Sequence, residues 1–243
     1  RRQGPGRGDG HSREELMNVF RVIRPPDVFT LLNLIFGFFA ILFASRAASG
    51  SSFQYALVFI LLAAMADGLD GLVARKVGGS PLGANLDSLA DLVSFGLAPP
   101  FLAISAFHLP PSIWPVAMLF LLCGALRLAR FNVVSEKGDQ HFEGLPIPAA
   151  GLALSASVLL GRPLLTILLM LFLALLMTSS IPYPKIRDLR LMIIFSGVYI
   201  LVAAILLWHR DVGSILYAAL LLAALILLYM ISPVVIKRLR KER

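Results

Sequence analysis

The chain reads as an all-α, polytopic transmembrane helical bundle, and three observations predict it. Hydrophobic residues make up 58% of the 243 positions and charged residues only 15%, with a mean hydropathy of +0.83. Soluble domains carry roughly 25% charged residues, so this composition belongs to the bilayer. The apolar residues gather into runs close to the ~20 residues a helix needs to cross the hydrocarbon core. Between those runs, Lys and Arg fall almost entirely in alternate loops, the pattern that orients membrane helices.

Taken in order, residues 1–12 are Gly- and Arg-rich and read as a disordered tail, and residues 13–243 as a single membrane-embedded domain. Leu16, Val19, Phe20 and Ile23 recur at helical spacing among Arg13, Glu14, Arg21 and Arg24. They predict a short interfacial amphipathic helix on the inner leaflet, with a solvated linker as the plainer alternative. Pro25-Pro26 then turns the chain inward. Spans are predicted over 28–48, 55–75, 82–105, 113–133, 147–161, 163–180, 191–208 and 213–233. The fifth is short and precedes Gly161-Arg162-Pro163, so it is tilted, broken or continuous with its neighbour; a re-entrant segment there would leave six or seven crossings.

With eight crossings and the amino terminus inside, only Arg46, Arg162 and Arg210 of the 22 Lys and Arg fall on outer loops. Both termini and the loop Lys76–Leu82 are therefore expected in the cytoplasm. The formal net charge of +8 reads as attraction to anionic headgroups and argues against a nucleic-acid partner. Cys123 is the single cysteine, which excludes an intrachain disulfide.

Four carboxylates interrupt the second and third spans: Asp67, Asp70, Asp87 and Asp91. A charge in hydrocarbon is costly, so an intramembrane cluster points to function. At 100° per residue, Asp67, Asp70, Gly71, Ala74 and Arg75 share one broad helical face, while Gly83, Asp87 and Asp91 line a face of the next helix. The Gly/Pro/Ser turn Lys76–Leu82 folds the two helices into a hairpin. The expected product is a four-carboxylate box, with Asp67 and Asp91 deep and Asp70 and Asp87 shallower. Like charges this close repel, and hard divalent cations such as Mg²⁺ or Mn²⁺ resolve the repulsion with oxygen ligands. Neutralisation by Arg75, Lys76 or Arg127 is one alternative; the cation path of an ion-coupled transporter is another, although no repeated halves are visible.

Other segments add detail. Arg127 and Arg130, at i and i+3, form a pair for a phosphate or carboxylate, or else two residues snorkelling to the interface. Thr30 and Asn33 in the first span are either part of the site or interhelical hydrogen-bonding groups. The prolines and glycines of Phe142–Gly151 predict an irregular approach to the fifth span. No P-loop and no Ser/His/Asp relay is present, and the last three spans are expected to carry little polar chemistry.

From Asp67 to Asp91 the pattern D-x2-D-G-x2-A-R, seven residues, then G-x3-D-x3-D closely resembles the signature of the CDP-alcohol phosphatidyltransferases, integral-membrane enzymes that move a phosphatidyl group from a CDP-activated lipid to an alcohol. Arg127–Asn132 (R-L-A-R-F-N), Phe142–Gly151 and Thr30–Gly37 (T-x2-N-x3-G) resemble the branch that uses serine, which includes archaeal enzymes. The resemblance implies two divalent cations, Mg²⁺ or Mn²⁺, held by Asp67, Asp70, Asp87 and Asp91, with Asp91 as catalytic base. It implies contacts from Asp70, Gly71, Ala74, Arg75 and Gly83 to the CDP-lipid, and a homodimer in a prokaryotic cell membrane. The substrates it implies are CDP-diradylglycerol and L-serine, with glycerol 3-phosphate or inositol phosphate as alternative acceptors. Arg127, Arg130 and Asn132 are the candidates for recognising the serine carboxylate.

Overall fold

The computed structural model describes residues 22–46, 52–136, 142–183, 189–208 and 212–241, so the tail and nearly all of the expected interfacial helix lie outside the described residues. Eight helices follow in order: α1 (Pro25–Ala44), α2 (Ser52–Val77), α3 (Gly83–Ala106), α4 (Trp114–Glu136), α5 (Ile147–Leu159), α6 (Pro163–Thr178), α7 (Leu189–Trp208) and α8 (Val212–Lys241). Among the described residues, five apolar stretches are long enough to cross a bilayer, on α1 to α4 and over Gly213–Met230 of α8; the apolar parts of α5, α6 and α7 are shorter. The protein is thus the all-α membrane bundle expected, with one addition. Two-residue strands β1 (Phe142–Glu143) and β2 (Pro182–Tyr183) pair antiparallel.

Helix α1 is amphipathic in the reverse of the soluble sense. Asp27, Thr30, Asn33, Gly37, Ala40 and Ala44 are buried, while Ile35, Phe38, Phe39 and Leu42 are exposed. In hydrocarbon the large apolar side chains can face lipid, and polar groups must find partners inside the bundle. The helix starts earlier than the sequence suggested because Asp27, at its third position, accepts the Arg24 backbone N–H (2.8 Å), and Pro25 and Pro26 occupy positions whose N–H groups need no partner. Along its C-terminal half, Phe36, Phe39 and Phe43 stack or tilt against Phe59 and Tyr55 of α2.

Helix α2 ends where expected. Gly78 has φ +84° and its N–H closes on the Ala74 carbonyl (3.0 Å), a left-handed cap that glycine adopts at little cost. Arg75 and Lys76 in the last turn complement the helix dipole. The following loop is tied back to α1: Arg24 Nη1 donates to the Gly79 carbonyl (2.8 Å), and Ser80 Oγ donates to Asp27 Oδ1 (2.9 Å).

Helix α3 is not regular. Leu92–Leu97, directly after Asp91, form a π-helical turn in which the Ala98 N–H reaches back to the Val93 carbonyl. Pro99 and Pro100 account for it. Neither ring nitrogen can donate, and in α geometry the rings would press on the carbonyls of Phe95 and Gly96. Widening the turn relieves that conflict, and such turns recur at functional sites.

Helix α5, the short one, is the central element. Every residue except Pro148 and Ala149 is buried, against α3, α6 and α8, so a length too small for lipid is acceptable inside protein. It is a separate helix, divided from α6 by Gly161 at φ +64°. Glycines let it pack closely. A Cβ on Gly151 would stand 2.7 Å from the Phe95 carbonyl oxygen and 2.9 Å from the Phe95 Cα, both rigid backbone. By contrast, Gly71 on α2 has nothing within 4 Å of its missing Cβ. Gly151→Ala is therefore expected to destabilise the detergent-solubilised protein by about 1–3 kcal/mol, the cost of overpacking. Gly71→Ala should leave stability within about 0.5 kcal/mol, typical of sites without such features. Equilibrium unfolding of the two variants checks both.

Candidate active site

The hairpin of α2 and α3 brings carboxylate oxygens of Asp67, Asp87 and Asp91 within 4.8 Å of one another. Asp91 is 5% exposed, and Asp67 and Asp87 are half-buried. Asp70 is also buried, but it is not a member of this tight group. Its Oδ2 accepts a 2.8 Å hydrogen bond from Thr30 Oγ1 on α1. The arrangement is three carboxylates with a fourth beside them, where the sequence suggested two stacked pairs. The difference comes from α1, which supplies a hydroxyl at the level of Asp70 and an amide at the level of Asp91. There Asn33 Nδ2 donates to Asp91 Oδ1 (3.0 Å).

One oxygen, Asp87 Oδ1, is buried without a hydrogen-bond partner. A buried carboxylate oxygen left bare beside two further carboxylates is unfavourable unless a cation completes it. Three hard oxygen donors at this spacing fit a divalent ion.

Asp67, Asp70 and Asp87 open onto a cavity of about 1080 Å³, lined also by Gly71 and Arg75 from the hairpin and by Arg127 and Phe131 from α4; Asp91 is not part of its lining and reaches it through the carboxylate cluster. Gly71, with open space where a Cβ would stand, gives a ligand a close approach to the α2 backbone. Arg75 contributes from the exposed end of α2. Ala74 lies on the same turn, and its carbonyl caps the helix at Gly78. Gly83 opens α3 beside the loop: its missing Cβ would stand 3.4 Å from Asp27 Oδ1 and from Ser80 Oγ, the groups that tie that loop to α1.

The Arg127–Asn132 segment divides. The Arg127 guanidinium lies 5.6 Å from the Phe131 ring centroid and lines the cavity. Arg130 does not share its target. Its Nη2 donates to the carbonyls of Glu143 (2.6 Å) and Ser179 (3.2 Å), with Glu143 Oε2 at 3.9 Å from Nη1. Asn132 bonds Ser88 Oγ (3.1 Å) on α3. Direct reading of an acceptor carboxylate, expected of all three, is thus open in this geometry to Arg127, while Arg130 and Asn132 brace the walls. The reason is local: irregular backbone around Gly144, at φ +83°, leaves carbonyls that need donors, and Arg130 is within reach.

The sequence also undervalued the far wall. Ser196 and Tyr199 of α7 and Tyr229 of α8 line the cavity, as does Tyr183 of β2, which stacks on Tyr229 at 5.9 Å. The last spans therefore do contribute polar groups. The available signal was tyrosine placed inside otherwise apolar runs, where an O–H needs a partner.

The family model described as CDP-alcohol phosphatidyltransferase matches residues 24–180, which include α1 to α6 and all four aspartates. The chain is 41% identical over 172 residues to the CDP-diacylglycerol–serine O-phosphatidyltransferase of Methanocaldococcus jannaschii, covering 70% of this chain and 78% of that protein. It is 40% identical over 169 residues to the archaetidylserine synthase of Methanothermobacter thermautotrophicus, covering 66% and 70% respectively. A third relative, the CDP-diacylglycerol–serine O-phosphatidyltransferase of Bacillus subtilis, is 36% identical over 165 residues, covering 67% of this chain and 90% of the relative. With three of its four signature carboxylates on one cavity and the matched region spanning most of the bundle, the chain belongs to the CDP-alcohol phosphatidyltransferase family.

Proposed function

We propose that this membrane enzyme transfers the phosphatidyl or archaetidyl group of a CDP-diradylglycerol to the hydroxyl of L-serine, releasing CMP in phospholipid synthesis. The observation that carries the reading is the placement of Arg127, a half-buried cation, on the same cavity as Asp67, Asp70 and Asp87, in a chain whose relatives bear the names of serine transferases. That cavity joins a site for a diphosphate to a cation suited to an amino-acid carboxylate.

Asp67, Asp87 and Asp91, with Asp70 beside them, are the groups to hold two divalent cations, Mg²⁺ or Mn²⁺. When bound, such ions neutralise the diphosphate oxygens and stabilise the departing phosphate. Gly71 and Arg75 receive the CDP moiety, the first by leaving space along α2 and the second by pairing with phosphate. Arg127 takes the serine carboxylate and turns the hydroxyl toward the lipid-side phosphorus. Asp91, the most enclosed member of the triad, accepts the hydroxyl proton as the serine oxygen forms its bond to that phosphorus. The bond from phosphorus to the bridging oxygen breaks in the same displacement, and CMP leaves with the electron pair. No covalent intermediate with the enzyme is needed. Family membership favours this reaction over ion transport.

Three outcomes test it. CMP release should require Mg²⁺ or Mn²⁺ and cease with chelator, because the bare carboxylates repel the diphosphate. Full turnover of chelator-treated, metal-free protein would remove the metal assignment.

L-Serine should be preferred to glycerol 3-phosphate and inositol phosphate at matched concentrations in liposomes. Arg127→Lys should raise the serine KM by about tenfold, since a two-pronged contact becomes a single one. Preference for a phosphorylated acceptor would keep the reaction class and reassign Arg127 to a phosphate.

The active-site mouth should face the cytoplasm of a prokaryotic cell. In a Cys123→Ala background, cysteine introduced at Gly79 should react with an impermeant thiol reagent only after the inner face is exposed, and cysteine at Leu109 should react from outside. The opposite pattern would reverse the orientation.

A further inference from the structure

Asn33 has no place in the chemistry described so far, yet it is bonded directly to an acid of the cluster. It is fully buried on α1 (0% exposed), and its side-chain nitrogen donates to Asp91 Oδ1 at 3.0 Å. The amide's orientation is dictated by its neighbour, because a carboxylate in its ionised form can only accept, so nitrogen and not oxygen must face Asp91. That choice leaves Asn33 Oδ1 buried with no hydrogen-bond partner. A position selected for packing alone would not hold an orphaned amide oxygen in a membrane bundle, where each such group is unfavourable. The backbone around it is pinned as well. Ser94 Oγ, on the π-helical turn just past Asp91, donates to the Asn33 carbonyl at 2.9 Å, and a Cβ on Gly37, one turn along, would collide with Ser94 Oγ. Asn33 is thus held against α3 at a fixed height, one residue type and one hydrogen bond from the proposed base.

We infer that Asn33 is the positioning residue for Asp91: it occupies one carboxylate oxygen and thereby directs the other at the acceptor hydroxyl. The inference rests on the reading of Asp91 as the proton acceptor. An Asp side chain has two soft torsions, and in a cluster with Asp67 and Asp87 the repulsion among carboxylates would otherwise turn it away. Fixing one oxygen from α1, a different element from either arm of the hairpin, defines the direction of the second. Thr30 makes the parallel contact to Asp70 three residues earlier, so α1 presents one donor to each arm of the hairpin.

The test compares wild type, Asn33→Leu, Asn33→Ala, Ser94→Ala and Asp91→Asn as purified full chains in detergent. CMP release is followed with CDP-diacylglycerol and each acceptor, Mn²⁺ binding by electron paramagnetic resonance, and folding by thermal melts. Asn33→Leu is near-isosteric and lacks the donor; if it fails to fold, Asn33→Ala carries the comparison. The expected result, at saturating Mn²⁺, is a kcat lower by about 10–100-fold in the Asn33 variants with both KM values within about threefold of wild type, as for loss of an orienting partner or a small misplacement. Ser94→Ala, which breaks the same helix contact without touching an acid, should stay within about threefold in every readout. Equal losses in Ser94→Ala and the Asn33 variants would overturn the inference and reduce Asn33 to packing. A kcat restored to wild type by saturating Mn²⁺, or an effect confined to KM, would overturn it in favour of a binding role. If wild type uses another acceptor, the serine reading fails while the Asn33 pattern is read with that acceptor; if it releases CMP with none, both fall.

Discussion

Hydrogen bonds from α1 to the acids on α2 and α3 are the constraint on which the rest of the structure depends. Carboxylates that share a small volume inside a bilayer repel one another and are poorly solvated, so without fixed donors the hairpin would splay. Thr30 and Asn33 supply those donors at two heights, and Asp27 with Ser80 closes the seam at the loop. Because α1 must bring polar groups against the hairpin, its small residues line the contact. Gly37 meets Ser94 so closely that no side chain would fit there. Its large apolar residues are correspondingly left facing outward. The polarity of one helix therefore sets both the spacing of the bundle and the geometry of the site.

A second set of contacts shapes the opposite wall. The π-helical turn after Asp91 re-aims α3 so that Ser94 faces α1 while Phe95 presents its backbone to Gly151 of α5. Helix α5 can then stay short, because protein surrounds it. The chain reaches α5 through irregular backbone, and the two-residue ladder, the Gly144 N–H to the Ile181 carbonyl and Arg130 satisfy the groups left without helical partners. Arg130 is a useful warning about cationic pairs. Two arginines three residues apart lie about 60° apart around a helix, enough for one to enter a cavity while the other braces a loop. Their spacing made a shared ligand plausible, and the carbonyls of Glu143 and Ser179 claimed one of them.

The cavity also draws on helices outside the matched family region. Residues 24–180 carry the acids, but Ser196, Tyr199 and Tyr229 complete the wall from α7 and α8. The charged floor and the aromatic wall thus come from different parts of the chain. Large rings with a polar tip suit that position, since they fill an apolar cavity and still offer hydroxyls to a polar substrate.

Much of this was legible in the residues themselves. Hydropathy and the loop bias of Lys and Arg specified an all-helical membrane bundle, because lipid forces backbone groups to pair within each span. The spacing of Asp67, Asp70, Asp87 and Asp91 around a Gly/Pro turn specified a carboxylate site, because helical periodicity and a tight reversal are local properties. Which carboxylates would cluster was not local. It was decided by α1, more than thirty residues upstream, whose Thr30 drew Asp70 aside and whose Asn33 held Asp91. The division of labour between Arg127 and Arg130, the role of Gly83 against the loop, and the tyrosines of the last helices were likewise settled by packing between distant elements. Sequence periodicity determines the face on which a side chain lies; the neighbour that face meets, and the hydrogen bond that results, exist only once the helices have assembled.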